Sequence, residues 1–303
     1  MYNDSVSSSR RYTFQLPKDD FVNNLMLKVT RTGSQGFNDF AFEGALIFSE
    51  IVLKQGQKVL GRNDGPYIIS RIMEEEETVR NNYINLLNGN YDGSSTTYYI
   101  PLYFTHFDVP ENNLLMDYVR DLSLECLRTT LETFTSIELL CYTRTYEKEY
   151  YSKYIENVFD KKPLSILGYD VHTIRTRLLT ETDTSARVNI EGNFNCFAIH
   201  NYLSAGNSQV INRITLQSDG ITAFDIYRQE NILMNKNTSA VQNAVFSYYF
   251  GDKNRTYYSG GVNLSIGTWY LTVYFNLANI TDSVMQLNTM IEYYLSRRLE
   301  MMG

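Results

Sequence analysis

Apolar and polar residues alternate in short runs along most of the chain. Tyr12, Phe14 and Leu16 alternate with Thr13 and Gln15; Leu25, Leu27 and Val29 alternate with Met26, Lys28 and Thr30. A period of two is that of a strand with one face buried. Ile47 to Leu53 is a dense apolar run that leads to Gly56, a turn signal. The theme returns in the second half at Val188 and Ile190, from Phe194 to Ile199, and at Ile214 and Leu216. Gly, Asn, Asp, Ser or Pro bounds each run. Many short strands punctuated in this way predict an all-β sandwich or barrel.

Helical spacing is rarer. Ile68 to Leu87 carries Ile72, Met73, Val79, Tyr83, Ile84 and Leu87 around the run Glu74 to Glu77. Four adjacent glutamates point in different directions on a helix, so the run reads as a solvated face and not as a metal site. Tyr146 to Asn157 predicts a short charged helix. Ile280, Val284, Leu287, Ile291, Leu295 and Leu299 recur every three or four residues, with Asp282 near the start and Arg297 and Arg298 near the end. That spacing predicts an amphipathic C-terminal helix over Ile280 to Met302, its charges matched to the helix dipole. The order strands, helix, strands occurs twice, and a boundary near Phe134 to Ile137 divides the chain into nearly equal halves. Thr256 to Thr281 is uncharged but alternates Thr268, Tyr270, Thr272 and Tyr274 with apolar residues, which predicts a strand and not a membrane-spanning helix.

Composition narrows the function classes. Hydrophobic residues make up 43% of the 303, enough to bury a core. The net charge of −7 argues against coating nucleic acid through phosphate contacts. Cys126, Cys141 and Cys196 form no close pair and read as free thiols. His106, His172 and His200 are scattered and read as structural histidines. The chain has no GxGxxG, no GxxxxGK[ST] and no GxSxG, so neither a phosphate-cradling loop nor a nucleophile elbow is signalled. The reading is of a non-enzyme with no cofactor and no metal. A cupin-like enzyme would need clustered metal ligands. Met1 to Arg11 is polar and lacks the apolar stretch of a secretory signal. Arg10, Arg11 and Lys18 make a mild basic patch in this arm. The 25 tyrosines suit subunit contacts, where aromatic residues replace charged ones.

Five segments in order resemble the double jelly-roll major capsid proteins of tailless icosahedral DNA viruses. They are IFSEIVLKQGQKVLGRNDGPYIISRIMEE (47–75), YYIPLYFTHFDVPENNLLMDYVRDLSLECL (98–127), ELLCYTRTYEKEYYSKYIE (138–156), ITLQSDGITAFDIYRQENILMN (214–235) and VFSYYFGDKNRTYYSGGVNLSIGTWYLTVYF (245–275). The first resembles a strand pair with a Gly turn that steps into a helix. The second resembles an Ile-Pro-Leu strand and the last strands of the first roll, with Tyr103 where the family usually has a second proline. The third resembles the opening strand of the second roll. The family includes capsid proteins of large nucleocytoplasmic DNA viruses, hexon-type proteins and those of membrane-containing bacteriophages.

The resemblance implies two consecutive eight-stranded antiparallel jelly rolls. The first, with its N-terminal arm, spans 1–134; the second, with the C-terminal helix, spans 135–303. It implies a structural protein of the virion capsid, assembled in the host cell cytoplasm as pseudo-hexagonal homotrimers. Its partners would be neighbouring capsomers, penton and minor capsid proteins and an internal lipid membrane, with no sequence-specific nucleic acid. Candidate subunit or membrane contacts are Arg10, Arg11 and Lys18 in the arm, the edge residues Tyr257 and Tyr258, and Ile291, Leu295, Arg297 and Arg298 on the C-terminal helix. The alternatives are a minor capsid or scaffold paralogue and a glycan-binding β-sandwich for attachment. The polar loop from Asn88 to Ser95 would be the signature of the last.

Overall fold

The structure is a computed structural model that describes residues 10–16, 21–33, 42–104, 114–115, 122–129, 134–144, 165–180, 182–190, 195–203, 210–235, 245–250, 262–264, 267–276 and 285–298. Eighteen strands and three α-helices lie among the described residues. In chain order the first group is β1 (Arg11–Gln15), β2 (Phe21–Thr32), β3 (Phe48–Gln55), β4 (Lys58–Asn63), α1 (Gly65–Met73), α2 (Glu77–Asn88), β5 (Asn90–Tyr91), β6 (Ser95–Leu102), β7 (Leu114–Leu115), β8 (Leu122–Arg128) and β9 (Ser136–Arg144). The second is β10 (Ser165–Leu179), β11 (Ser185–Ile190), β12 (Asn195–Leu203), β13 (Val210–Ser218), β14 (Ile221–Tyr227), α3 (Arg228–Asn235), β15 (Val245–Tyr249), β16 (Val262–Asn263), β17 (Trp269–Asn276) and β18 (Met285–Arg298).

Each group makes one four-stranded and one five-stranded sheet, and the pairings repeat. The first has the order β1-β8-β3-β4, and in its other sheet β2 lies between β9 on one side and β6 and β7 on the other. The second has the order β11-β17-β13-β14, and β12 lies between β18 and the pair β15 and β16. Eight strands of each group pair alike; β5, beside β6, and β10, beside β18, have no counterpart. All pairings are antiparallel, so one face of each sheet can bury while the other meets solvent. Strand β1 alternates exposed and buried residues and puts Tyr12 and Phe14 inside; β11 does the same with Ala186, Val188 and Ile190. In the second group a single core joins both sheets, with Val188, Ile214, Leu271 and Val273 from one and Ile199, Phe246, Leu287 and Ile291 from the other. Two sheets sharing an interleaved core are a sandwich. The hairpins repeat as well. Gly56 (φ 55) turns β3 into β4. Asp219 (φ 48) and Gly220 (φ 83) turn β13 into β14, a two-residue loop whose left-handed backbone matches strand twist.

The chain divides into two compact units, 1–68 with 83–170 and 295–303, and 69–82 with 171–294. Strand β9, in the segment resembling the opening of a second roll, hydrogen-bonds along β2 from Phe21 to Thr30. The first unit therefore reaches past the expected boundary at 134/135.

The C-terminal helix is not formed. Residues 285–298 are β18, an inner strand between β10 and β12. Its stripe at helical spacing is a by-product of burial on both faces. Such a strand loses the alternation that would betray it, so periodicity alone does not separate it from a helix. Thr289, Ile291, Tyr293 and Tyr294 favour the strand, being β-branched or aromatic. The helix expected over Ile68 to Leu87 is two helices. The last turn of α1 tightens, with Glu74 N–H bonded to the Arg71 carbonyl (3.2 Å) and Glu75 N–H to that of Ile72 (3.1 Å), and α2 starts afresh at Glu77. The charged helix expected over Tyr146 to Asn157 lies outside the described residues. No described helix is long and apolar enough to cross a membrane.

Ile291 is 0% exposed. Ile291→Ala is expected to destabilise the protein by about 2–5 kcal/mol in denaturant titration, as a buried cavity does; on a solvated helix the change would be within about 0.5 kcal/mol.

Candidate assembly surfaces and a buried ionic cluster

The repeated registers place matching residues on the outer face of each five-stranded sheet. In the first unit Lys28 of β2 lies between Glu138 of β9 and Tyr99 of β6. In the second, Ala198 of β12 lies between Glu292 of β18 and Tyr249 of β15. Glu138 follows Ile137 as Glu292 follows Ile291, and Arg144 and Arg298 each stand six residues beyond the glutamate. The next row repeats a hydrogen bond: Thr30 Oγ1 lies 3.2 Å from Thr97 Oγ1, and His200 Nδ1 lies 2.8 Å from Ser247 Oγ.

The second unit covers its row with residues from the segment 69–82. His200 Nε2 lies 2.8 Å from Glu292 Oε2, and His200 Nδ1 lies 3.2 Å from Glu74 Oε1. Arg71 Nη1 lies 4.0 Å from Glu292, and the Tyr249 hydroxyl donates to Glu74. His200 and Glu292 are 0% exposed. Burial alone would lower the His200 pKa, but the carboxylates of Glu292 and Glu74 more than offset it and hold the imidazole at about 9. The cluster then carries two cations and two carboxylates, the balance a buried network requires. Cys196 on the same strand is a buried thiol, held well above its ordinary pKa by burial and by the Glu292 charge. Cys126 and Cys141, also free, are raised by burial too, Cys141 to about 11.

Two sequence readings meet this cluster. His200 is a structural histidine, as read. The glutamate run is not wholly a solvated face: Glu76 and Glu77 are exposed, but Glu74 is buried against His200. A tightened turn and a cation supplied from β12 account for the difference, and neither is visible in a run of four identical letters. Among the described residues no group of three His, Cys, Asp or Glu could hold a metal ion.

The largest exposed apolar groups of the second unit lie around the β13–β14 hairpin and α3. Strand β14 ends its sheet and is mostly exposed. Ile221 is 73% exposed and Leu233 80%. An open cavity of about 500 Å³ is lined by Phe224, Asp225, Ile226, Glu230, Leu233 and Tyr248. Phe224 stacks on Tyr248 at 4.2 Å. Arg213 grips Asp225 through two bonds of 2.6 and 2.5 Å, which holds that carboxyl below its ordinary pKa. Arg228 anchors α3 by donating to the carbonyls of Ile211 (2.6 Å) and Val245 (2.9 Å).

Arg10 is exposed, but its carbonyl accepts from Arg128 N–H, and Arg11 already belongs to β1 opposite Leu127. Lys18, Tyr257 and Tyr258 lie outside the described residues. Ile291 is a core residue of the second unit and not a surface contact, because the segment is an inner strand. Leu295, Arg297 and Arg298 stand at the end of that strand. In the loop from Asn88 to Ser95, Asp92 accepts from the backbone and hydroxyls of Ser94 and Ser95, and Asn88 Oδ1 accepts from Phe42 N–H. Sequence reasoning missed the β14–α3 groove and the repeated Ile-Glu. The second was legible only together with the arginine six residues on, at 137–144 and 291–298, because Ile-Glu also occurs at 155–156 and 190–191.

The chain has the double jelly-roll fold of viral major capsid proteins. The PBCV-1 protein VP54 is 13% identical with a TM-score of 0.71, covering 96% of this chain and 91% of its own. The Faustovirus major capsid protein is 10% identical with a TM-score of 0.62, covering 97% and 88%. The major capsid protein of Sulfolobus turreted icosahedral virus is 10% identical with a TM-score of 0.61, covering 98% and 95%. No family model and no curated protein matches the sequence.

The His200 pairing gives a pH signature. The folded value of about 9 lies above the ordinary 6.5. The stabilisation is therefore complete below about 6.5 and lost as the pH rises through about 9, on the order of 3 kcal/mol in all. Melting temperature measured from pH 6 to 10 should fall across this window in the wild type, and the fall should be much smaller in His200→Gln. Arg71, Glu74, Glu292 and Tyr249, the charged and titratable groups around the imidazole, remain in that variant.

Proposed function

We propose that this chain is a major capsid protein: a structural virion subunit that forms pseudo-hexagonal homotrimeric capsomers of an icosahedral shell. The observation that carries the reading is the duplicated sandwich, matched over 96% of the chain by VP54 of PBCV-1. A duplicated roll suits a shell because three copies in a closed head-to-tail ring present six similar sandwiches, and a six-sided block tiles a surface. The polar residues that the fold gathers, His200, Glu74 and Glu292, are buried and paired as ions, which supports a packing role and not turnover.

In this reading the capsomers meet one another and, at special positions, penton and minor capsid proteins. An internal lipid membrane is the surface for the basic arm of Arg10, Arg11 and Lys18. Assembly takes place in the host cell cytoplasm.

Light scattering after size exclusion tests the reading. We expect a species of about 106 kDa, three times 35.2 kDa. A protein that stays at 35.2 kDa across a wide concentration range would contradict the trimeric capsomer.

A further inference from the structure

The two outer rows are equivalent in register but not in cover. In the second unit Glu292, Tyr249, Ser247 and His200 are all buried, beneath Arg71 and Glu74. In the first unit Glu138 and Met26 are buried, but Tyr99, Lys28, Thr30 and Leu140 are only half-buried, and Tyr142 is 51% exposed. The missing cover can be read from the repeat. Arg71 and Glu74 belong to the helical segment that follows the β3–β4 hairpin. Its counterpart in the second repeat is α3, which follows the β13–β14 hairpin, and α3 carries the most exposed large apolar residue described, Leu233.

We infer that the β14–α3 groove of one copy docks on the Tyr99–Lys28–Glu138 face of a second copy. The inference rests on the capsomer reading and names the surfaces that would close its ring. The chemistry of the two faces is complementary. The groove offers Phe224, Leu233 and Tyr248 with the exposed carboxylate of Glu230. The opposite face offers Tyr99, Leu140 and Tyr142 with the ammonium of Lys28, which Glu138 holds at 3.3 Å. The covered row already follows this pattern: a helical segment brings a carboxylate, Glu74, to a cation on the sheet, His200. The two faces are different surfaces of the same chain, so their contact is heterologous and can close a ring. Aromatic and aliphatic residues at its centre, with one charge pair beside them, are the composition of an interface core.

Two substitutions and one crosslink test this. Leu233→Arg and Tyr142→Arg alter exposed side chains and should leave the monomer's melting temperature nearly unchanged. Each should weaken the oligomer, read by light scattering over a dilution series, on the order of tenfold or more. Carbodiimide coupling of a mixture of ¹⁴N- and ¹⁵N-labelled full-length chains should join the Lys28 peptide to the Glu230 peptide in mixed-isotope pairs. A wild-type trimer that both variants leave intact, without that mixed pair, overturns the docking surfaces and leaves the capsomer reading standing. A wild type that never oligomerises overturns both.

Discussion

A carboxylate in the middle of a covered sheet face must be neutralised where it stands. Moving an ion out of water costs several kcal/mol even after relaxation, and only close partners offset that. Glu292 is fully buried at such a position, and its charge accounts for much around it. It holds His200 protonated, His200 draws in Glu74, and Arg71 closes the balance. These four residues are too polar for an apolar core and too tightly matched for a solvated surface. Together they explain why residues 69–82, far from β12 and β18 in sequence, belong to the compact unit those strands form.

The same constraint is met more cheaply in the first unit. Glu138 stands at the register position of Glu292, but Lys28 on the neighbouring strand neutralises it at 3.3 Å. The exposed end of a lysine needs no buried partner helix, so this row tolerates partial solvent. One fold thus holds two solutions to one problem, and the difference between them is the reason for regarding the first unit's row as an open contact face. The stabilising bulk comes from elsewhere. The interleaved apolar core of Val188, Ile199, Leu271 and Ile291 and its fellows supplies the burial, while the ionic row fixes which segment lies over which strand.

Much of this architecture was legible in the sequence. Period-two runs mark β1, β2 and β11; the Gly56 turn marks the first hairpin; and the ordered segments resembling capsid proteins carry the doubling. What stayed hidden has a physical cause in each case. From Leu287 to Glu292 the strand is buried on both faces, so its apolar residues follow no strand period and fall by chance on a helical one. Glu74 looked solvated because its partner, His200, is 126 positions away along the chain. The groove at β14 and α3 mixes Phe224, Leu233 and Tyr248 with charged neighbours, a pattern that sequence alone reads as an ordinary strand and helix. The internal repeat is short, two Ile-Glu pairs with distant arginines, and it gains meaning only once the registers align them.

The central claim is that one roll is written twice so that copies of the chain close into a six-sided block. A single-particle cryo-EM reconstruction of the purified protein measures this most directly. The account predicts three chains per particle, six sandwiches around a common axis, and density covering the outer face of β2, β6 and β9 in every chain. A particle with two sandwiches and that face open to solvent would contradict it.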